Sequence, residues 1–117
     1  MPDFGRTMHT QGAVLKGTLS EGQWRTFLLQ ATFDMEMTPA GEPAVYHYPL
    51  DGKGGNGMTL MQPLTESFMV VDTWPDHDGA YLHISSCKPF ALRQIMGALD
   101  EFGLELKSAA SRQVLEL

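Results

Sequence analysis

The chain has 117 residues, 43% hydrophobic and 19% charged, which describes one globular domain over 1–117, large enough for a core and too small for two ordinary domains. A formal net charge of -6 with only eight scattered Lys and Arg excludes a nucleic-acid binder, because phosphate recognition needs clustered cations. It suits an acidic surface kept for solubility or a cationic small-molecule ligand.

In chain order, Met1-Pro2-Asp3-Phe4-Gly5 has neither the basic segment nor the apolar centre of a signal peptide, and residues 1–10 read as an irregular arm. No run approaches the roughly 20 apolar residues of a membrane helix. One cysteine makes no internal disulfide, so a reducing, cytoplasmic setting is expected, without a membrane partner. Gln11–Gly17 reads as a first short strand. Ser20-Glu21-Gly22-Gln23 has the spacing of a capping box and predicts a helix start. Trp24, Phe27, Leu28, Ala31 and Met35 then form one apolar helical face, the pattern of core packing, and Thr38-Pro39-Ala40-Gly41 stops it.

Ala44–Pro49 reads as a strand with Tyr46 and Tyr48 on one face and Val45 and His47 on the other. Asp51–Gly57 holds four glycines in seven residues; it lacks the spacing of a phosphate-cradling loop and reads as a mobile loop beside an active site. Met58–Leu64 is a third strand, with Pro63 marking a bend or break. Phe68–Thr73 and Ala80–Cys87 are apolar runs joined by the turn cluster Pro75-Asp76-His77-Asp78-Gly79, which predicts an antiparallel hairpin. Pro89 suits the first turn of a second helix with Leu92, Ile95, Met96, Leu99 and Phe102 inward and Gly103 as its cap. Leu104–Leu106 is a last short strand, and Ser108–Leu117 reads as a loosely held tail.

This order predicts an α+β domain, a two-layer sandwich with two helices on one face of an antiparallel β-sheet. Tyr46, Tyr48, Tyr81 and His83 on the other face are too amphipathic for a core and too apolar for open water, so a second protomer is expected to cover part of it, giving a homodimer. The four histidines show no ligand spacing for a metal.

Glu66-Ser67, Thr73-Trp74-Pro75 and Cys87, twenty positions after Ser67, together resemble the central motif of the S-adenosylmethionine decarboxylase proenzymes of the small bacterial and archaeal type. The resemblance implies an S-adenosylmethionine decarboxylase-like fold and self-cleavage between Glu66 and Ser67 into a β chain, 1–66, and an α chain, 67–117. Ser67 Oγ attacks the Glu66 carbonyl, the amide becomes an ester, and elimination then hydrolysis leave a pyruvoyl group derived from Ser67. Its ketone is the electron sink for decarboxylation that no side chain offers. Cys87 takes the position of the residue that reprotonates the product. Thr59 holds the place of a serine that assists processing, Asp76 that of a substrate-contacting glutamate, and Trp74 that of a residue able to stack on adenine. The Asp51–Gly57 loop corresponds to the family's glycine-rich approach to the cleavage strand.

Two places depart from the family pattern. Phe68 stands where the family has a histidine beside the substrate, and Asp72 where it has the histidine that helps the α-proton leave. The family's aspartate eleven residues further on is His83 here, so a His–carboxylate pair survives with its members exchanged if Asp72 and His83 face each other across the hairpin. The leading expectation is a pyruvoyl-dependent decarboxylase in polyamine (spermidine) synthesis, taking a cationic substrate. The alternatives are a decarboxylase of ornithine or arginine on the same fold, and an uncleaved, non-catalytic homologue acting through protein contacts. An unrelated α+β ligand-binding dimer is a third reading.

Overall fold

The computed structural model describes residues 5–48 and 56–117. The glycine-rich stretch expected over Asp51–Gly57 lies outside them except for Asn56 and Gly57, as do Pro49 and the first four residues of the N-terminal arm. Seven strands form one antiparallel sheet: β1 (Thr7–Lys16), β2 (Ala44–His47), β3 (Met58–Leu64), β4 (Ser67–Trp74), β5 (Gly79–Ser86), β6 (Glu105–Ala109) and β7 (Gln113–Glu116). Their order is β2-β3-β4-β5-β1-β6, with β7 also on β1. Two helices, α1 (Glu21–Asp34) and α2 (Met96–Glu101), cover one face.

The capping box forms as its spacing requires: the Gln23 amide donates to Ser20 Oγ at 3.2 Å and the Ser20 amide to Gln23 Oε1 at 2.9 Å. Trp24, Phe27, Leu28, Ala31 and Met35 are all buried. They meet Leu15, Leu60, Met69, Val71, Leu82 and Ile84 on the helix-facing side of the strands, each large side chain contributing about 1.5–3 kcal/mol of burial. The helix ends at Asp34, and Glu36 at φ 57° turns the chain before Thr38 is reached.

Three local expectations are corrected. The arm expected up to residue 10 is strand from Thr7 onward. The tail expected after Ser108 is ordered too: β6 runs to Ala109, and β7 pairs with the first half of β1, Thr10 opposite Gln113 and Thr7 opposite Glu116. Both segments are locally polar and take their conformation from edge pairing, which outweighs a weak intrinsic preference. The second helix is shorter than expected, a 3-10 turn over Leu92–Ile95 followed by α2, with Pro89 ahead of both. Ile95, Ala98 and Leu99 are buried while Met96 points outward, and Gly103 closes the helix at φ 68°.

Pro63 does not break β3. It pairs with Phe68 in register, and its carbonyl accepts from the Ala40 amide at 3.0 Å, so its backbone faces away from β4 where β2 has already ended. A missing N–H there disrupts no ladder.

Candidate active site

The hairpin between β3 and β4 is closed by Leu64 opposite Ser67, which leaves Thr65 and Glu66 as its two turn residues. The Glu66–Ser67 peptide bond therefore stands at the tip of a hairpin. The loop after α1 holds this tip from outside. The Thr65 amide donates to the Thr38 carbonyl at 2.8 Å, the Thr38 amide donates to Glu66 Oε1 at 2.9 Å, and Pro39 bridges to Leu64. Thr38, read from the sequence only as part of a helix stop, is thus a clamp on the turn, and the Glu66 side chain is its anchor.

From the other side, the Cys87 amide donates to the Glu66 carbonyl oxygen at 3.0 Å. A donor fixed on a carbonyl oxygen stabilises the negative charge that develops there when the carbon is attacked. Ser67 follows that carbonyl directly and carries φ 157°; among the described non-glycine residues with positive φ it is the only one inside a strand. Cys87 is a free, half-buried thiol one residue beyond β5. Glu66, Ser67 and Cys87 are thus brought together, and Phe68 stands beside them, exposed and paired with Pro63 and Ser85.

The remaining sequence-selected residues gather elsewhere. Thr59 pairs with Asp72, its hydroxyl donating to Asp72 Oδ1 at 3.1 Å, and Tyr48 Oη lies 2.9 Å from Thr59 Oγ1. This chain of hydroxyls on a carboxylate lies five residues along β4 from Ser67, roughly 17 Å at the strand rise. Tyr48 was legible in the sequence only as an amphipathic strand residue. Trp74 lies two residues further, at the far end of β4, and Asp76 is exposed on the 3-10 turn Pro75–His77 beyond it.

Asp72 and His83 do not oppose each other. The register places Tyr81 opposite Asp72, and Val70 and Gly12 opposite His83, whose Nδ1 lies 3.4 Å from where a Cβ on Gly12 would stand. Both residues share the sheet face away from the helices, as diagonal neighbours, but the Asp72 carboxylate is engaged by Thr59. The exchange of histidine and aspartate therefore produces no direct pair within one chain.

A single antiparallel sheet backed by two helices, with a serine at a hairpin tip against a cysteine amide, defines a two-layer α+β architecture. It matches the crystal structure of the adenosylmethionine decarboxylase from Aquifex aeolicus VF5 with a TM-score of 0.65 at 20% identity, covering 97% of this chain and 91% of that one, a likeness of fold. The family model described as S-adenosylmethionine decarboxylase matches residues 17–113, and the chain belongs to that family of decarboxylases. No curated protein sequence matches it significantly.

Proposed function

We propose that the chain cleaves itself between Glu66 and Ser67 and acts, with the resulting pyruvoyl group, as a decarboxylase of a cationic amino-acid substrate in polyamine synthesis, with S-adenosylmethionine the first candidate and ornithine or arginine the alternatives. The observation that carries this reading is the Cys87 amide on the Glu66 carbonyl, because it readies the bond that must be attacked by the adjacent Ser67 hydroxyl. These residues fit the group: a hydroxyl nucleophile, a carbonyl held by a donor, and a thiol on the residue that supplies that donor. The pyruvoyl ketone supplies an electron sink for loss of carbon dioxide. Cys87 Sγ holds the proton that is returned to the product carbon.

Thr59, Asp72, Trp74 and Asp76 cannot reach Ser67 of their own chain across roughly 17–23 Å of strand. Thr59, Asp72 and Trp74 share the uncovered side of the sheet with Tyr46, 62% exposed, and Tyr81, 49% exposed, and Asp76 lies on the turn at its edge. A homodimer built face to face about a two-fold axis lays the Asp72–Trp74 end of one copy against the Ser67–Cys87 end of the other and completes two equivalent sites. The carboxylates of Asp72 and Asp76 then meet a positively charged substrate.

The test is the denatured mass of the freshly purified full-length protein. Two fragments meeting at Ser67, the C-terminal one lacking ammonia and blocked to N-terminal sequencing, support the reading. A chain that stays intact on long incubation removes it and favours the non-catalytic homologue, a reading that Asp72 in the usual histidine's place also favours.

A further inference from the structure

Two segments grip the tip of the β3–β4 hairpin, and they come from distant parts of the chain. The segment after α1 gives the Thr38 amide to Glu66 Oε1 at 2.9 Å and the Thr38 carbonyl to the Thr65 amide at 2.8 Å. The segment after β5 gives the Cys87 amide to the Glu66 carbonyl at 3.0 Å. A donor stabilises charge on an attacked carbonyl only if it is held in place against it, so the two segments must also be fixed to each other.

Lys88 does this with both of its nitrogens. Its backbone amide donates to Ser86 Oγ at 2.9 Å, and Ser86 is fully buried. That bond closes a serine turn around Cys87 and sets the direction of the Cys87 amide. Its ammonium donates to the Glu36 carbonyl at 2.7 Å, across 52 positions of chain. The acceptor is rigid, because α1 ends in the hydrogen-bond pattern of a Schellman motif: Glu36 stands at φ 57°, its amide donates to the Phe33 carbonyl at 2.9 Å, and the Met37 amide donates to the Thr32 carbonyl at 3.0 Å. The last turn of α1 has no basic residue of its own. Lys88 thus brings to that end of the helix the cation its dipole favours. Among the described residues Lys88 forms no ion pair, and its charge is spent on this one carbonyl.

We propose that Lys88 is a positioning residue of self-cleavage, a latch between the end of α1 and Cys87 that keeps the Glu66 carbonyl seated on the Cys87 amide; this rests on the pyruvoyl reading above. Thr38 fixes the Glu66 side chain, Cys87 fixes the Glu66 carbonyl, and the latch fixes the distance between the two grips. Lys88 touches no reacting atom and exchanges no proton. Without its ammonium both grips remain, but each moves independently of the other.

Full-length chains made in a short cell-free pulse, followed by gel and mass, give the cleavage rate. Lys88→Met keeps an unbranched side chain and the amide that meets Ser86, and is expected to slow cleavage about 10- to 100-fold, up to the loss that follows a misplacement of about 1 Å. Lys88→Arg still donates to a carbonyl at a helix end and is expected to stay within about 3-fold of the wild type. The pH profile of Lys88→Met is expected to be lowered with its inflections in place, because a lysine stays charged through the neutral range. In an uncleavable Ser67→Ala chain, Lys88→Met is expected to quicken hydrogen exchange at the Cys87 amide about 10-fold, while the central amides of β1 and β5 keep their protection and the thermal midpoint moves little.

Cleavage of Lys88→Met at the wild-type rate overturns the latch, as does a Lys88→Arg chain as slow as Lys88→Met. A displaced inflection makes Lys88 a proton-transfer group and overturns it too. So does exchange that is unchanged at Cys87, or that quickens across the whole sheet with a large fall in thermal midpoint, the mark of a general stabiliser. A wild-type chain that never splits removes the pyruvoyl reading itself. A wild-type chain that splits beside an equally fast Lys88→Met removes the latch alone.

Discussion

The backbone amide of Cys87 donates to the carbonyl oxygen of Glu66 at 3.0 Å, so one residue offers that carbonyl its main chain and leaves its thiol free for another task. Cys87→Ala keeps the amide. We expect this variant to self-cleave within a few-fold of the wild-type rate yet to lose decarboxylation by about 10²-fold or more, the scale of a missing general acid. Fragment masses and carbon dioxide release measured on one preparation separate the two effects.

The Glu66 carboxylate is the anchor that receives the Thr38 amide. Glu66→Ala removes a charge-assisted hydrogen bond and releases the tip of the hairpin. A loss of about 1–2 kcal/mol in denaturant unfolding is expected, tempered by solvent exposure, together with slower cleavage. Glu66→Gln, which still accepts, should recover most of both.

Thr59 joins Tyr48 to Asp72. Thr59→Val keeps the shape and the β-branch but leaves a half-buried carboxylate without its donor. We expect about 1 kcal/mol of destabilisation, and a smaller change for Tyr48→Phe, whose hydroxyl sits at the exposed end of the chain. Equal effects in the two variants would argue that Tyr48 rather than Thr59 holds the carboxylate.

If two copies complete one site, a Ser67→Ala chain and a Trp74→Ala chain, each inactive alone, restore activity when refolded together. Random pairing puts one intact site in half of the dimers, or about a quarter of the wild-type activity. Failure to recover any activity would mean that Trp74 serves its own chain or only its local packing.

Glu21 carries a hydrogen bond from Arg25 Nε at 3.0 Å and contacts His47 Nε2 at 2.7 Å. The Arg25 guanidinium, and after it His47, holds its carboxyl below the ordinary range against the opposing effect of desolvation. A carboxyl lowered in the folded state adds stability that is present above its unfolded value and is lost as pH falls through the folded one. Glu21→Gln should therefore lower stability at neutral pH, only slightly because the pair is exposed, leave the most acid pH unchanged, and so flatten the acid side of the stability profile.

The sequence by itself determined what depends on near neighbours. Ser20 and Gln23 specified the start of α1, the stripe from Trp24 to Met35 its buried face, and the Pro75–Gly79 cluster the turn between β4 and β5. Each follows from periods of 2 or 3.6 residues or from turn chemistry, which act over a few bonds. Only the tertiary structure decided which residues stand opposite each other. Tyr81 rather than His83 faces Asp72, Gln113–Glu116 is a strand and not a tail, and His9 joins Ser67 and Ser86 in one row although 58 positions separate it from Ser67 in the chain. Register is set by the sum of pairings along whole strands, and a slip of one residue would turn every side chain to the other face. That choice is made by the packed sheet and is not written in any local window.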